Sequence, residues 1–242
     1  MLFCLSALFA VKGQSQNWAS DGEDEFSTAE KKELYPSFSV LFSGKTISGS
    51  IIQPLTDRGT LDYNAGIGAT AGGCLPISPS FSFNINYGFG QNKVNESQLR
   101  KVAEKFSGFS SNEINVFHNG IQIQSLTILM KARGVGKNGV GFSVGAGPSY
   151  FFKARESFSA GREGNIILKY EENESKSLGF QANGEFFIKI KKAEILLQFF
   201  IESAKFVREA NVIGEKSPLR SYVYSNILTF YGFGFGFRRC LF

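Results

Sequence analysis

From Tyr35 to the C-terminus the chain repeats one arrangement, an apolar side chain followed by a small or polar one, in windows of strand length. A β-strand sends successive side chains to opposite faces, so a period of two predicts strands, whereas a helix would repeat near 3.6. Phe81, Phe83, Ile85, Tyr87 and Phe89 alternate with Ser82, Asn84, Asn86 and Gly88. Phe142 and Val144 alternate with Gly141, Ser143 and Gly145, and Phe186 and Ile188 with Glu185 and Lys189. Leu197, Phe199 and Ile201 oppose Gln198 and Glu202, and near the C-terminus Tyr231, Phe233, Phe235 and Phe237 oppose three glycines. The pattern predicts eight strands, over about 36–52, 61–70, 81–89, 125–133, 140–152, 180–190, 194–202 and 222–238.

The connections alternate in length. Longer ones are expected near 54–60, for about 25 residues from Gln91, for about 20 from Glu156, and over 209–221. Tight turns are expected near 76–79, 134–139 and 191–192. Long and short connections on opposite ends are a mark of transmembrane barrels, which have short periplasmic turns and long external loops. In the longest loop, Leu99, Val102, Ala103 and Phe106 recur at helical spacing behind Asn95 and Gln98, placed like a capping pair, which predicts a short amphipathic helix at the barrel rim.

The direction of the alternation decides between two barrels. A lipocalin-like soluble barrel is apolar inside and polar outside. Here Glu, Lys and Gln oppose a continuous Phe/Ile/Leu face, and the glycine-rich strands leave no polar exterior. The sequence therefore predicts lipid-facing Phe81, Phe83, Phe142, Phe186, Leu197, Phe199, Phe233, Phe235 and Phe237. It predicts an interior polar network of Lys131, Arg133, Glu185, Lys189, Glu194, Gln198 and Glu202. Charges of both signs suit a filled lumen, since a buried charge is costly unless paired, and the glycine faces suit a crowded one.

Composition narrows the reading further. The 242 residues include 26 Phe and 27 Gly but only 6 Pro, which favours β structure. No apolar run reaches the roughly 18 residues of a spanning helix. Residues 1–13 carry a short apolar run from Leu2 to Val11 followed by small residues, as in a secretory signal. Residues 14–34, with Asp21, Glu23, Asp24 and Glu25, are expected to be a flexible periplasmic leader. The barrel domain is then 35–242. The formal charge of +5 is scattered among acids and points to no nucleic acid. Cys74 and Cys240 are expected to be free.

Chemistry is sparse. One His gives no metal cluster, and no cofactor motif stands out. GVGKNG at 134–139 lacks the phosphate-loop spacing and reads as a periplasmic turn. His118 stands near Ser110, Ser111 and Glu113 without a recognisable nucleophile arrangement, so no enzyme is expected.

Over about residues 35 to 242, the chain resembles the small Gram-negative outer-membrane β-barrels of the OmpX, OmpW and OmpA-barrel type. The resemblance rests on the signal, the eight alternating strands, the loop lengths, the aromatic last strand and the terminal Phe242. It implies an eight-stranded antiparallel up-and-down transmembrane barrel in the outer membrane, in contact with lipid and lipopolysaccharide and inserted by the barrel-assembly machinery. It further implies a structural or partner-binding role, with a protein partner at the external loops 155–176 and 208–220. The alternative is a narrow porin-like channel for small or apolar solutes. Counting back from Phe242 gives Cys240, Arg238 and Gly236, out of register with the Phe series, so a bulge near Arg238 or a strand end at Phe237 is expected.

Overall fold

The computed structural model describes residues 36–48, 62–136, 138–214 and 217–241. The predicted signal and leader (1–34) and the predicted loop at 54–60 lie outside the described residues. The strands are β1 (Ser37–Ser48), β2 (Gly66–Ser78), β3 (Phe81–Asn92), β4 (Asn115–Val135) and β5 (Val140–Arg162). β6 (Asn165–Glu172), β7 (Ser175–Ile190), β8 (Ala193–Gly214) and β9 (Ser217–Cys240) complete them, with helix α1 (Glu96–Ser107) between β3 and β4.

Every pairing is antiparallel, and β9 returns to β1, with Val40 opposite Phe237 and Phe42 opposite Phe235, so the sheet closes on itself. At the height of β1, closure leaves no exposed ladder among the described residues of the wall. The described residues hold nine strands where the alternation predicts eight. The added one is β6, in what the sequence reads as a loop after Glu156. β5 continues to Arg162, turns through Glu163 and Gly164, both at positive φ, and comes back as β6. Two positive-φ residues suit the tight hairpin that matches strand twist. β6 and then β7 both run between β5 and β8, at successive heights. The expected 209–221 loop is likewise mostly strand, belonging to β8 and β9.

β2 begins at Gly66 and runs to Ser78, further along than the 61–70 window predicts. β9 runs through Arg238 to Cys240 with no bulge there, so both expected endings are corrected. Arg238 simply continues the inward row of Gly232, Gly234 and Gly236. Leu241, 57% exposed, follows the outward row.

The outer face is apolar through the middle of the wall. On β5 it runs from Val140 to Tyr150, ten residue steps, which at about 3.3 Å each and a tilt of about 40° span about 25 Å. Beyond it polar side chains enter the outward rows, Gln124, Arg155, Lys176 and Lys205 on β4, β5, β7 and β8, interspersed with exposed Phe117, Val207 and Val223. The outer ends of β4, β5, β8 and β9, with β6, extend past this boundary.

Helix α1 forms as predicted. The Asn95 side chain accepts from the Ser97 and Gln98 backbone N–H groups, and Gly108 at φ 78° closes the C-terminus. Gln98 does not complete the capping pair: its side-chain amide donates to Asp62 Oδ2 (2.8 Å) and accepts from the Asp62 N–H (2.7 Å). A partner from a distant segment outcompetes the local one. Leu99, Val102 and Ala103 are fully buried against β4, β5 and β6, so the helix covers the mouth of the barrel. The Phe106 side chain lies outside the described residues.

Candidate functional site

The lumen is filled in layers, each set by which inward positions the strand register brings level. Near the short-turn end, Glu185 on β7 accepts from Lys131 on β4, from Ser143 Oγ at 3.0 Å, from Gln198 Nε2 at 3.0 Å and from Arg238 Nη2 at 2.8 Å. The second Arg238 nitrogen donates to Glu194 Oε2 at 2.9 Å, and Arg133 pairs with the other oxygen of Glu194. The Arg133 guanidinium also lies 4.2 Å from the Phe187 ring centroid. Three cations thus hold two carboxylates, as a buried network requires if each charge is to keep a partner.

Above it, Glu202 bonds Ser125 and Ser149. Lys45 lies across β2 and β3, its stem so close to Gly68 and Gly90 that an added Cβ would come within 2.6 Å and 2.9 Å of it. Gly232 on β9 has the same explanation. A Cβ on Gly232 would meet the Phe200 ring at 2.0 Å, because the outer edge of that ring occupies the space the glycine leaves. The remaining space among Lys45, Asn86, Gln181, Gln198 and Glu202 is about 10 Å³, room for about one water molecule.

The next layer is apolar. Phe151 packs edge-on against Phe206 (5.3 Å between centroids) and stacks on Phe230 (6.0 Å), with Ile47, Ile123 and Leu228 buried around them.

The outermost layer, beyond the apolar band, centres on Arg208. It pairs with Glu156 Oε2 (3.2 Å) and with Glu172. Tyr63 donates to Glu156 at 2.5 Å, and Tyr224 to Glu172 at 2.6 Å, with Tyr170 bonded to both Tyr224 and Glu172. The cluster ties β5, β6, β8 and β9 to the segment before β2. Burial pushes the Glu156 carboxyl up, against the pull of the Arg208 guanidinium, to about 7.

Of the interior residues predicted from sequence, Lys131, Glu185, Glu194, Gln198 and Glu202 are buried and Arg133 half-buried. Lys189 is the correction: it is exposed, because it holds the last inward position before the 191–192 turn, where water reaches. The nine outward residues all stand on the outer face, Phe83 and Leu197 less exposed than the rest. Sequence reasoning missed Arg238 and Lys45. It also missed the Arg208 cluster, whose charged members Glu156, Glu172 and Arg208 fell in expected loops. Inward parity with the glycine row was the available signal for Arg238.

His118 bonds Glu96 of α1 through Nε2 at 3.1 Å and so ties the helix to β4, while Glu113 pairs with Arg162 at 3.3 Å. Cys74 and Cys240 are free. Both lie level with Ser37, on opposite sides of β1. Two strand spacings, about 9.6 Å, exceed the reach of a disulfide, about 7 Å between Cα atoms.

A closed antiparallel sheet with an apolar outer band, a polar filled lumen and a capped mouth defines a β-barrel of the bacterial outer-membrane type. A solved structure agrees on the fold: a major outer membrane protein from Thermus thermophilus superposes with a TM-score of 0.54 at 9% identity, over 84% of this chain and 98% of that one. Two others superpose less well. Neisserial surface protein A gives 0.48 at 10% identity, over 85% and 97%. Ail, the attachment invasion locus protein of Yersinia pestis, gives 0.43 at 10% identity, over 85% and 99%. In sequence, the chain matches no protein-family model and no curated protein.

Proposed function

We propose that this chain is an integral outer-membrane barrel with a closed lumen, acting as a structural or partner-binding element through its outer extension. Residues 1–13 would export it, 14–34 would stay periplasmic, and the barrel-assembly machinery would insert it. Among the described residues, β6 and β7 share one path between β5 and β8, which supports reading the wall at membrane height as eight paths, a size whose interior side chains can just fill. The observation that carries this reading is the interior space of about 10 Å³ between the charged and the apolar layers. A pore for solutes would need that path to be open. The outer extension exposes both charged and apolar side chains, among them Val207 and Val223, a surface a protein partner could use, and among the described residues of the site no nucleophile and base are arranged for catalysis. Single-channel recording in planar bilayers tests the closed lumen. A silent membrane with refolded barrel present is expected, and discrete conductance steps would support the narrow channel instead.

A further inference from the structure

On the outer wall, just beyond the apolar band, β4, β5 and β6 enclose a trough of about 180 Å³. Register sets its rows. Phe117, Ser159 and Lys169 lie side by side across the three strands, and one step nearer the membrane so do Ser157 and Glu171. The small serines make the floor.

One wall depends on a bulge. The β4 register shifts between His118 and Gly120, and Gly120 sits at φ 67° with Asn92 O where a Cβ would be, 2.0 Å away. Only glycine fits, and the extra residue turns Asn119 outward. Its position is fixed twice: the Asn119 carbonyl accepts from Gln91 Nε2 (2.9 Å) and its amide donates to Ser157 Oγ (3.1 Å). Beside it the Phe117 ring is 69% exposed. The opposite wall is the Lys169–Glu171 ion pair, at 3.0 Å.

An exposed aromatic face, an amide, two hydroxyls and a cation–carboxylate pair is a poor site for an apolar chain. It suits a sugar ring, whose C–H face lies on an aromatic while its hydroxyls exchange hydrogen bonds around the edge. The volume is below the about 300 Å³ at which drug-sized pockets begin, so it takes one ring and not an oligosaccharide. The height selects the source: on β5, Ser157 is two residues past Arg155, so a ring here continues directly into chains lying on the apolar band.

We propose that this trough is a subsite for one sugar ring of an outer-leaflet glycolipid, with Phe117 stacking, Asn119 and the serines bonding hydroxyls, and Lys169 meeting an anionic substituent. The proposal rests on the outer-membrane reading above. The test uses the full chain refolded into phosphatidylcholine nanodiscs with and without lipopolysaccharide, with bound glycolipid counted by native mass spectrometry. Phe117→Ala and Lys169→Met are expected each to lower retention about tenfold, the equivalent of about 1.4 kcal/mol. Val223→Ala, an outward residue on β9, should retain it fully. Equal retention by all variants would overturn the proposal, as would equal loss in the β9 control. Delipidated core oligosaccharide binding as tightly as intact lipopolysaccharide would overturn the choice of a membrane lipid. Heat-dependent gel mobility, read on every variant, separates the two readings: if wild type shows no shift, the membrane reading fails, and if it shifts but retains no glycolipid, only the subsite fails.

Discussion

Arg238 on β9 reaches past β8 to Glu185 on β7, with 2.8 Å between Nη2 and Oε2, while its other terminal nitrogen holds Glu194 on β8. One guanidinium thus cross-links three consecutive strands from inside the lumen. A bidentate, always-charged fork can do this, whereas a lysine offers one point charge.

Removing it should be costly. Arg238→Ala leaves Glu185 and Glu194 buried with fewer cations, and breaking a buried network by one partner costs about 3–5 kcal/mol. The expected outcome is a lower urea midpoint for loss of the heat-dependent gel shift. An unchanged midpoint would show that the inner network is not what holds these strands.

Gly232 should tolerate no side chain while Phe200 is present. Gly232→Val places carbon where the Phe200 ring lies, and overpacking of this kind costs about 1–3 kcal/mol. Phe200→Ala in the same chain should restore part of the loss. A double-mutant cycle without coupling would refute the fit between ring and glycine.

The mouth should loosen when α1 loses its anchor. Leu99 is fully buried, and large-to-small changes at such sites cost about 2–5 kcal/mol. Leu99→Ala should speed hydrogen exchange in α1 and expose Lys101 and Lys105 to trypsin, while bilayers stay silent because the inner charged layer remains. Conductance in this variant would instead identify the helix as the sole barrier.

Alkali should loosen the same mouth. Glu156 lies beyond the apolar band, and burial raises it from 4.5 to about 7 in the folded chain. A raised folded value means that protonation favours the folded form. This contribution is fully present below about pH 4.5 and fades as pH rises through about 7, since the ionised carboxylate is the costly form there. Hydrogen-exchange protection around Tyr63 and α1, measured against the base-catalysed exchange of a free amide, should therefore fall between about pH 6 and about pH 8. Glu156→Gln should flatten the profile, and an unchanged pH profile in that variant would rule Glu156 out as the titrating group.

Much of this protein is legible in its alternation. Which side chains face outward, the neighbourhoods of the tight turns (expected near 76–79, 134–139 and 191–192, found at 79–80, 136–139 and 191–192) and where α1 starts follow from local rules, because a strand's two faces and a helix cap are decided within a few residues. β6 was hidden because 165–172 mixes Ile, Leu, Lys, Tyr and Glu on both faces. Its inward Leu168, Tyr170 and Glu172 make sense only against Phe158, Tyr224 and Arg208 from strands far along the chain. Arg208 and Glu172 read as loop charges for the same reason.

By itself, then, the sequence determined a barrel with an apolar outside and a polar inside, since period-two alternation and its direction are local properties. Only the tertiary structure decided how the lumen is filled. The filling depends on register: which carboxylate stands level with which arginine, which ring meets which glycine, and whether the helix ends over the mouth. Those relationships join residues far apart in the chain, such as Lys131 with Glu185, 54 positions apart, and Arg208 with Glu156, 52 apart, and they exist only once the sheet has closed.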